Sequence, residues 1–179
     1  MNRGVTFTPI RLFNYKGAFL NRKEYNISVK KHSSNLYGYV FNFLQNSEDS
    51  RDIVQDVFEK LWENRKKVEF DKCKAWLFRT GYNTLINFTK KKQRTVYNTE
   101  MIPERKMVNN QFEYKDIVDL ALSMLPPLQK SIILLRDLEG YKYEEIAEIL
   151  DISDSQVKVY LYRARKKIKK QLSNLILTQ

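Results

Sequence analysis

Apolar residues recur at helical spacing in two blocks of this chain, residues 23–92 and 113–179, and lose that spacing in between. Steps of three and four residues place apolar side chains on one face of a helix, and that face must be buried against another helix. Tight turns are few, because the 179 residues include only 5 glycines and 4 prolines. We therefore predict an all-α protein of two small helical domains joined by a flexible linker.

The spacing also gives the limits of each predicted segment. In the first domain we expect helices over residues 25–44, 46–66 and 74–92, the second of them capped by Ser47 or Asp49. In the second domain we expect helices near residues 117–124, 127–139, 144–150 and 155–171. Residues 1–22 are predicted to form a loosely ordered arm. Residues 93–112 are the predicted linker, whose composition permits both a closed and an extended arrangement of the domains.

The charge of the chain indicates a polyanionic partner. It carries 32 Lys and Arg against 21 Asp and Glu, a net charge of +11. Such an excess favours nucleic acid first and an acidic membrane surface second. One cysteine, Cys73, and one histidine, His32, exclude an internal disulfide and a multi-histidine metal site. We expect no cofactor, no metal and no small-molecule substrate. With no apolar leader and no apolar run of membrane-spanning length, we also expect a cytoplasmic location.

The most specific motif is a predicted helix-turn-helix over residues 140–171. Glu144–Leu150 (EEIAEIL) forms a short helix, Asp151–Ser153 a tight turn, and Ser153 or Asp154 can cap the second helix. This second helix has an apolar stripe and no acid after Asp154, and its basic residues are Lys158, Arg163, Arg165, Lys166, Lys167, Lys169 and Lys170. The pattern favours a helix that lies in the major groove of DNA over a merely solvated amphipathic helix.

An acidic ridge runs along the predicted second helix. It consists of Asp49, Asp52, Asp56, Glu59 and Glu63, spaced three or four residues apart. In a basic protein such a ridge repels DNA and suits a basic protein partner. The sequence leaves open the alternative of an ordinary solvent face, with Arg51, Lys60 and Arg65 as neighbours.

The predicted third helix carries a basic and amide-rich strip beside aromatic residues. Its polar members are Arg79, Asn83, Asn87, Lys90 and Lys91, and the aromatic residues nearby are Phe70, Trp76, Phe78 and Tyr82. Cations bind the backbone of unpaired DNA, rings stack on its bases, and amides bind base edges. The alternative is that the aromatic rings belong to the core, and we favour that interpretation for Phe78 and Tyr82.

Three runs together resemble the extracytoplasmic-function sigma factors of bacterial RNA polymerase. They are SEDSRDIVQDVFEKLW (47–62), KAWLFRTGYNTLINFTKKK (74–92) and LSMLPPLQKSIILLRDLEGYKYEEIAEILDISDSQVKVYLYRARKKI (122–168). The resemblance covers most of residues 25–172. It implies a helical module (sigma region 2, 23–92) that binds the polymerase clamp and melts the minus-ten element, followed by a helix-turn-helix module (sigma region 4, 113–179) that reads the minus-thirty-five element. It also implies an anti-sigma partner, commonly membrane-anchored, and contacts with the clamp and flap of core polymerase.

The resemblance also assigns roles to individual residues. For core-polymerase binding it implies Asp49, Asp52, Gln55, Asp56, Phe58, Glu59, Leu61 and Trp62. For the minus-ten element it implies Phe70, Lys72, Lys74, Trp76, Arg79, Asn83, Asn87, Lys90 and Lys91, with the loop Glu69–Lys74 capturing a flipped base. For the minus-thirty-five element it implies Ser155, Gln156, Lys158, Val159, Tyr162, Arg163, Arg165 and Lys166.

The chain departs from the family pattern at several positions. Gln156, Val159 and Tyr160 stand where the family usually has Thr, Ser and Arg, which changes the side chains available for direct readout. Gly81 stands where Ala is more common and weakens the third helix.

Two other classes compete with a sigma factor: a dimeric helix-turn-helix regulator that acts without polymerase, and an enzyme that acts on nucleic acid. The sequence contains no phosphate-binding loop, no HExxH motif and no Cys/His set, which argues against the enzyme.

Overall fold

Helices account for the regular structure of residues 19–98 and 114–177, the parts of the chain that this computed structural model describes, apart from one isolated β-bridge between Phe19 and Glu69. They are α1 (Arg22–Leu44), α2 (Ser47–Asn64), α3 (Cys73–Asn98), α4 (Tyr114–Ser123), α5 (Pro127–Ile133), α6 (Tyr143–Leu150) and α7 (Asp154–Leu177). Short 3-10 turns, Arg65–Lys67 and Phe70–Lys72, connect α2 to α3. The predicted all-α class is confirmed. Most of the predicted arm and linker lies outside the described residues.

Side-chain caps determine where three of the helices begin. The side-chain oxygen of Asn21 accepts from Glu24 N at 3.0 Å, and the backbone N of Asn21 donates to the Glu24 carboxylate at 2.8 Å, which is a capping box. The predicted limit of the arm, residue 22, is therefore too late in the chain, because α1 already begins at Arg22 and Leu20 is buried. The cap of α2 is Asn46, which accepts from Asp49 N, rather than Ser47 or Asp49.

The cap of α7 is Ser153, one of the two predicted candidates. Gln156 N donates to Ser153 Oγ at 3.2 Å, and Ser153 N donates to Gln156 Oε1 at 2.8 Å. This second capping box fixes the start of α7 directly after the turn of the helix-turn-helix.

The helices α1, α2 and α3 form a first module around a shared apolar core. Leu36, Val57, Leu61 and Leu85 are each fully buried in it. Gly81 of α3 has a packing role, because a Cβ atom built there would lie only 3.1 Å from Leu36 Cδ1. The glycine therefore lets α1 and α3 approach closely, which offsets its low helix propensity.

The helices α4 to α7 form a second module that contains the helix-turn-helix. The chain after α5 continues as a π-helical segment, Leu134–Leu138, and turns at Gly140, whose φ of 71° suits glycine. The inward face of α7 is formed by Val157, Leu161 and Ala164, all buried. Ala147 of α6 is also buried, as expected for a small residue where two helices cross.

The two modules pack against each other in a closed arrangement, one of the two that the sequence permitted. Their buried residues form one continuous cluster. Tyr39, Phe78 and Tyr141 lie in series across the contact, with ring centroids 5.6 Å and 5.0 Å apart. Buried hydrogen bonds accompany the rings: Tyr39 Oη bonds Ser131 Oγ at 3.0 Å, and Lys130 Nζ donates to Phe43 O at 2.7 Å.

Candidate nucleic-acid interface

One face of α7 is exposed along its first three turns, and we call it the readout face. Its members are Ser155, Gln156, Lys158, Val159, Tyr162, Arg163, Arg165 and Lys166. Tyr162 has 67% and Val159 has 46% of its surface exposed, which is high for large apolar side chains in a folded module. Because the opposite side of α7 is buried, the helix presents this face outward as a unit, as a recognition helix must.

Gln156 has a restricted role on this face. Its Oε1 already accepts the Ser153 amide in the capping box, so its side-chain NH₂ remains as the donor that can point outward. Val159 lies one turn further, in a shallow depression that Gln156, Tyr160 and Arg163 also line. The depression therefore combines amide donors, an apolar side chain and a cation.

Arg165 has a partner within the second module that sequence reasoning missed. Its Nε donates to Asp137 Oδ2 at 3.2 Å and its Nη2 donates to Asp137 Oδ1, so the contact is bidentate. The hydrogen bond to this carboxylate raises the pKa of Arg165 above its usual value. Asp137 and Arg165 are far apart in sequence, so no local pattern could have paired them.

The predicted basic and aromatic residues around α3 form what we call the α3 strip: Phe70, Lys72, Lys74, Trp76, Arg79, Asn83, Asn87, Lys90 and Lys91. Asn83, Asn87, Lys90 and Lys91 are exposed in the later part of the helix. Phe70 is 37% exposed in the turn before it, whereas Trp76 is half-buried against the core. Phe78 is fully buried and Tyr82 is partly buried, which confirms that these two rings belong to the core.

The early part of the strip is in contact with the second module. Arg79 Nη2 lies 3.1 Å from Asp151 Oδ2, and its Nη1 donates to Glu148 O at 3.4 Å. Lys72 Nζ lies 3.7 Å from Glu148 Oε1, and Lys74 Nζ lies 3.8 Å from the centre of the Tyr141 ring. In the closed arrangement three cations of the strip, Lys72, Lys74 and Arg79, therefore contact the second module, whereas Phe70 and the later members of the strip remain exposed.

The acidic ridge of α2 faces outward, as its spacing suggested. Asp52 and Glu59 are exposed together with Gln55, while Asp56 pairs with Lys60 at 2.6 Å and Asp49 with Lys92 at 2.9 Å. Beside the ridge, Trp62 is 37% exposed and is covered on one side by the Arg65 guanidinium, 4.1 Å from its ring centre.

Two residues implied as polymerase contacts lie elsewhere. Phe58 and Leu61 are 8% and 0% exposed and belong to the core of the first module. Their place on the inward side of α2 follows from the helical period, because the ridge occupies the other side. Their contribution is to hold the ridge in place, and we withdraw them from the contact surface.

No group of three or more His, Cys, Asp or Glu side chains within residues 19–98 and 114–177 is arranged to hold a metal ion. Over the same ranges, no helix is both long and apolar enough to span a bilayer.

Comparison with known proteins decides the family. Residues 29–95 match the sequence profile of sigma-70 region 2, and residues 115–168 match that of sigma-70 region 4. The sigma factor SigV of Bacillus subtilis is 33% identical over 81% of this chain and 89% of its own length. The extracytoplasmic-function sigma-E factor of Escherichia coli is 26% identical over 87% of this chain and 90% of its own. The chain belongs to the extracytoplasmic-function RNA polymerase sigma factors.

Solved structures show the same fold as this sigma factor. The sigma factor RpoE of Bartonella quintana, crystallised with the anti-sigma factor NepR, superposes with a TM-score of 0.71 at 23% identity, over 84% of this chain and 98% of its own. CnrH, in complex with the cytosolic domain of CnrY, gives a TM-score of 0.65 at 22% identity, over 86% of this chain and 90% of its own. The sigma factor thus has the family's two-module helical fold.

Proposed function

We propose that three surfaces divide the work by which this sigma factor directs core RNA polymerase to promoters. The readout face of α7 binds the minus-thirty-five element, the α3 strip binds and melts the minus-ten element, and the acidic ridge of α2 binds the polymerase clamp. The domain limits we propose are residues 23–92 for region 2 and residues 113–179 for region 4. We also propose that region 4 binds the flap of core polymerase. The observation that carries the proposal is the segregation of charge: acids line α2, whereas cations line α3 and α7.

The readout face suits duplex DNA. Lys158, Arg163 and Lys166 are exposed cations on a helix whose start is fixed by a capping box. Cations of this kind bind phosphates, and an arginine at a suitable angle binds guanine through two hydrogen bonds. The exposed Val159 side chain suits an apolar contact such as a thymine methyl group.

The α3 strip suits single-stranded DNA. Asn83 and Asn87 offer amides for base edges, Lys90 and Lys91 offer cations for the backbone, and the exposed ring of Phe70 offers a stacking surface. A base stacked on such a ring contributes about 1–3 kcal/mol. A few contacts of this size would help to hold a melted segment open.

The acidic ridge suits a basic protein surface. Asp52 and Glu59 are exposed, and burial of Phe58 and Leu61 on the opposite side keeps the ridge turned outward. Beside it, the exposed part of Trp62 offers an aromatic anchor of the kind found at the centre of protein interfaces.

The remaining assignments follow from this role. We propose that the sigma factor acts in the cytoplasm, where core polymerase works, and has no catalytic chemistry of its own. The related solved structures are complexes with the anti-sigma factor NepR and with the cytosolic domain of CnrY. By analogy, we propose that an anti-sigma factor, commonly membrane-anchored, is a partner of this chain as well.

The test is transcription in vitro with the cognate core polymerase, followed by sequencing of the transcript starts. The sigma factor should produce starts preceded by two shared elements at a fixed spacing. Arg163→Ala should lose upstream-element use while still co-eluting with polymerase, whereas Lys170→Ala, an exposed cation further along α7, should change little. Tight binding of a dimer to a two-fold operator without polymerase would instead support a conventional regulator.

A further inference from the structure

Two cations of the α3 strip, Arg79 and Lys72, contact the negative end of α6. Glu148 O is one of the last carbonyl oxygens of α6, and such oxygens lack partners within the helix and carry the negative end of its dipole. Arg79 binds this carbonyl and also the Asp151 carboxylate, while Lys72 lies near the Glu148 carboxylate. Two cations of the first module thus meet one carbonyl and two carboxylates of the second.

We propose that the acidic end of α6, residues 148–151, is a second ligand of the α3 strip and competes with promoter DNA for Arg79 and Lys72 in the free sigma factor. The inference rests on the proposed function, which assigns these two cations to the minus-ten element. Arg79 has both ends of its guanidinium occupied by α6 and the turn after it, and its side chain is only 28% exposed. A DNA strand must therefore displace the second module before it can use this side chain.

Local geometry holds the acidic end in position. Asp151 has a left-handed backbone with φ of 57°, and its cap places it directly beyond the last turn of α6. Asp and Asn are the residues that tolerate this conformation best after glycine. The Asp151 carboxylate and the Glu148 carbonyl consequently face the same guanidinium from two positions of one turn.

The masking is asymmetric. The readout face of α7 is exposed in the closed arrangement, whereas Arg79, Lys72 and Lys74 are engaged. The closed sigma factor therefore leaves its duplex-binding helix available and holds three cations of its strand-binding strip in contacts with the second module. Binding to duplex DNA and to single-stranded DNA should then respond differently to changes in the contact.

The contact is also easily reversed. Asp151 is 75% exposed and Lys72 57%, and ion pairs at this exposure are weak and screened by salt. In addition, the ring of Tyr141 packs on Phe78 and Lys74 of the first module, and its hydroxyl is buried without a hydrogen-bond partner. Opening the modules would hydrate this hydroxyl, which favours release when polymerase binds.

The test compares charge-neutral variants of the full chain without polymerase. Asp151→Asn keeps a residue that tolerates the left-handed turn, and Glu148→Gln keeps the side-chain length. The matched control is Glu144→Gln, which removes one exposed acid from the first turn of the same helix. The probes are a fluorescent single-stranded adenine–thymine oligonucleotide and a duplex carrying the upstream element, measured by anisotropy at one ionic strength, together with the radius of gyration by small-angle scattering.

We expect Asp151→Asn and Glu148→Gln to bind the single strand up to about fivefold more tightly than Glu144→Gln and to have a larger radius of gyration. Duplex affinity should be equal in the three variants. Tyr141→Phe, which removes the unpaired hydroxyl, should bind the single strand more weakly than the unmodified chain. The same single-strand affinity and the same radius in both α6 variants and the control would overturn the proposal.

A separate measurement distinguishes this inference from the proposed function. If Asp151→Asn fails to tighten single-strand binding but the unmodified sigma factor still initiates at promoters with core polymerase, only the competition is wrong. If Arg79→Ala has no effect on minus-ten use by the polymerase complex, the assignment of the α3 strip is wrong.

Discussion

Two buried tyrosines at the contact between the modules differ in the hydrogen bonding of their hydroxyl groups. The hydroxyl of Tyr39 bonds Ser131 Oγ, whereas the hydroxyl of Tyr141 has no partner. Both rings pack on Phe78. A buried polar group without a hydrogen bond costs about 1–3 kcal/mol, so the same substitution should have opposite effects at the two positions.

We expect Tyr141→Phe to raise the free energy of unfolding by about 1 kcal/mol, because it removes an unsatisfied hydroxyl and keeps the ring. Tyr39→Phe should lower the free energy of unfolding by about 1 kcal/mol, because it breaks a satisfied buried bond. Urea denaturation of the two variants and the unmodified chain measures both values. A loss of stability in Tyr141→Phe would mean that its hydroxyl has a partner, such as a bound water.

Individual site residues could be predicted where the local pattern determines their surroundings. The core interpretation that the sequence favours for Phe78 is confirmed, and the basic run of α7 can be read directly from the sequence. The partners Asp137, Glu148 and Asp151 could not be found, because each is brought to its cation by folding over 28 or more residues of chain. Long-range ion pairs leave no periodic signal in a single sequence.

At the scale of elements, helix identity was predictable and helix ends were less so. Residues 93–98 were predicted as linker but continue α3, since no glycine or proline interrupts the helix there. The π-helical segment after α5 was predicted as ordinary α-helix, because its leucines fit both geometries. The cap of α2, Asn46, precedes both predicted candidates, Ser47 and Asp49, whereas Ser153, one of the two candidates for α7, is the cap there.

The acidic ridge allows a test of α2 as an element. We expect Asp52→Lys to weaken binding to core polymerase by at least about tenfold. The substitution places a cation against the basic surface of the clamp that the ridge is proposed to bind, and like charges repel. Asp71→Lys, an exposed acid outside α2, is the control and should bind normally. Affinity can be measured by fluorescence polarisation with labelled sigma factor, and unchanged folding should be checked by circular dichroism. Equal affinities for the two variants would argue against the ridge as the docking surface.

At the scale of the whole molecule, burial at the module contact links stability to alkaline pH. Burial raises the pKa of both Tyr39 and Tyr141 well above the usual tyrosine value, and nearby Glu139 and Glu145 raise that of Tyr141 further. In the unfolded chain both ionise near their ordinary pKa of about 10. Above this pH the folded state holds more protons than the unfolded state, so the contribution of these two tyrosines to stability is constant below it and is lost as the pH rises above it.

We therefore expect the urea midpoint to decline between about pH 9.5 and pH 11, with a shallower decline in Tyr141→Phe, which lacks one of these two buried hydroxyls. Lys130 contributes in the opposite direction, because burial lowers its pKa and the unfolded chain holds its proton longer. Comparing the variant with the unmodified chain removes this shared contribution. Parallel pH profiles for the two proteins would contradict the role of Tyr141.

The continuous cluster that joins α1 and α3 to the second module has a practical consequence for dissecting the protein. Cutting the chain between residues 98 and 114 would leave Tyr39 and Phe78 bare on one fragment and Tyr141 and Ile132 on the other. These complementary apolar surfaces would favour reassociation of the two fragments when they are mixed, and aggregation of each fragment when it is alone. Work on either half is therefore best done with its counterpart present, or with these rings replaced by polar side chains.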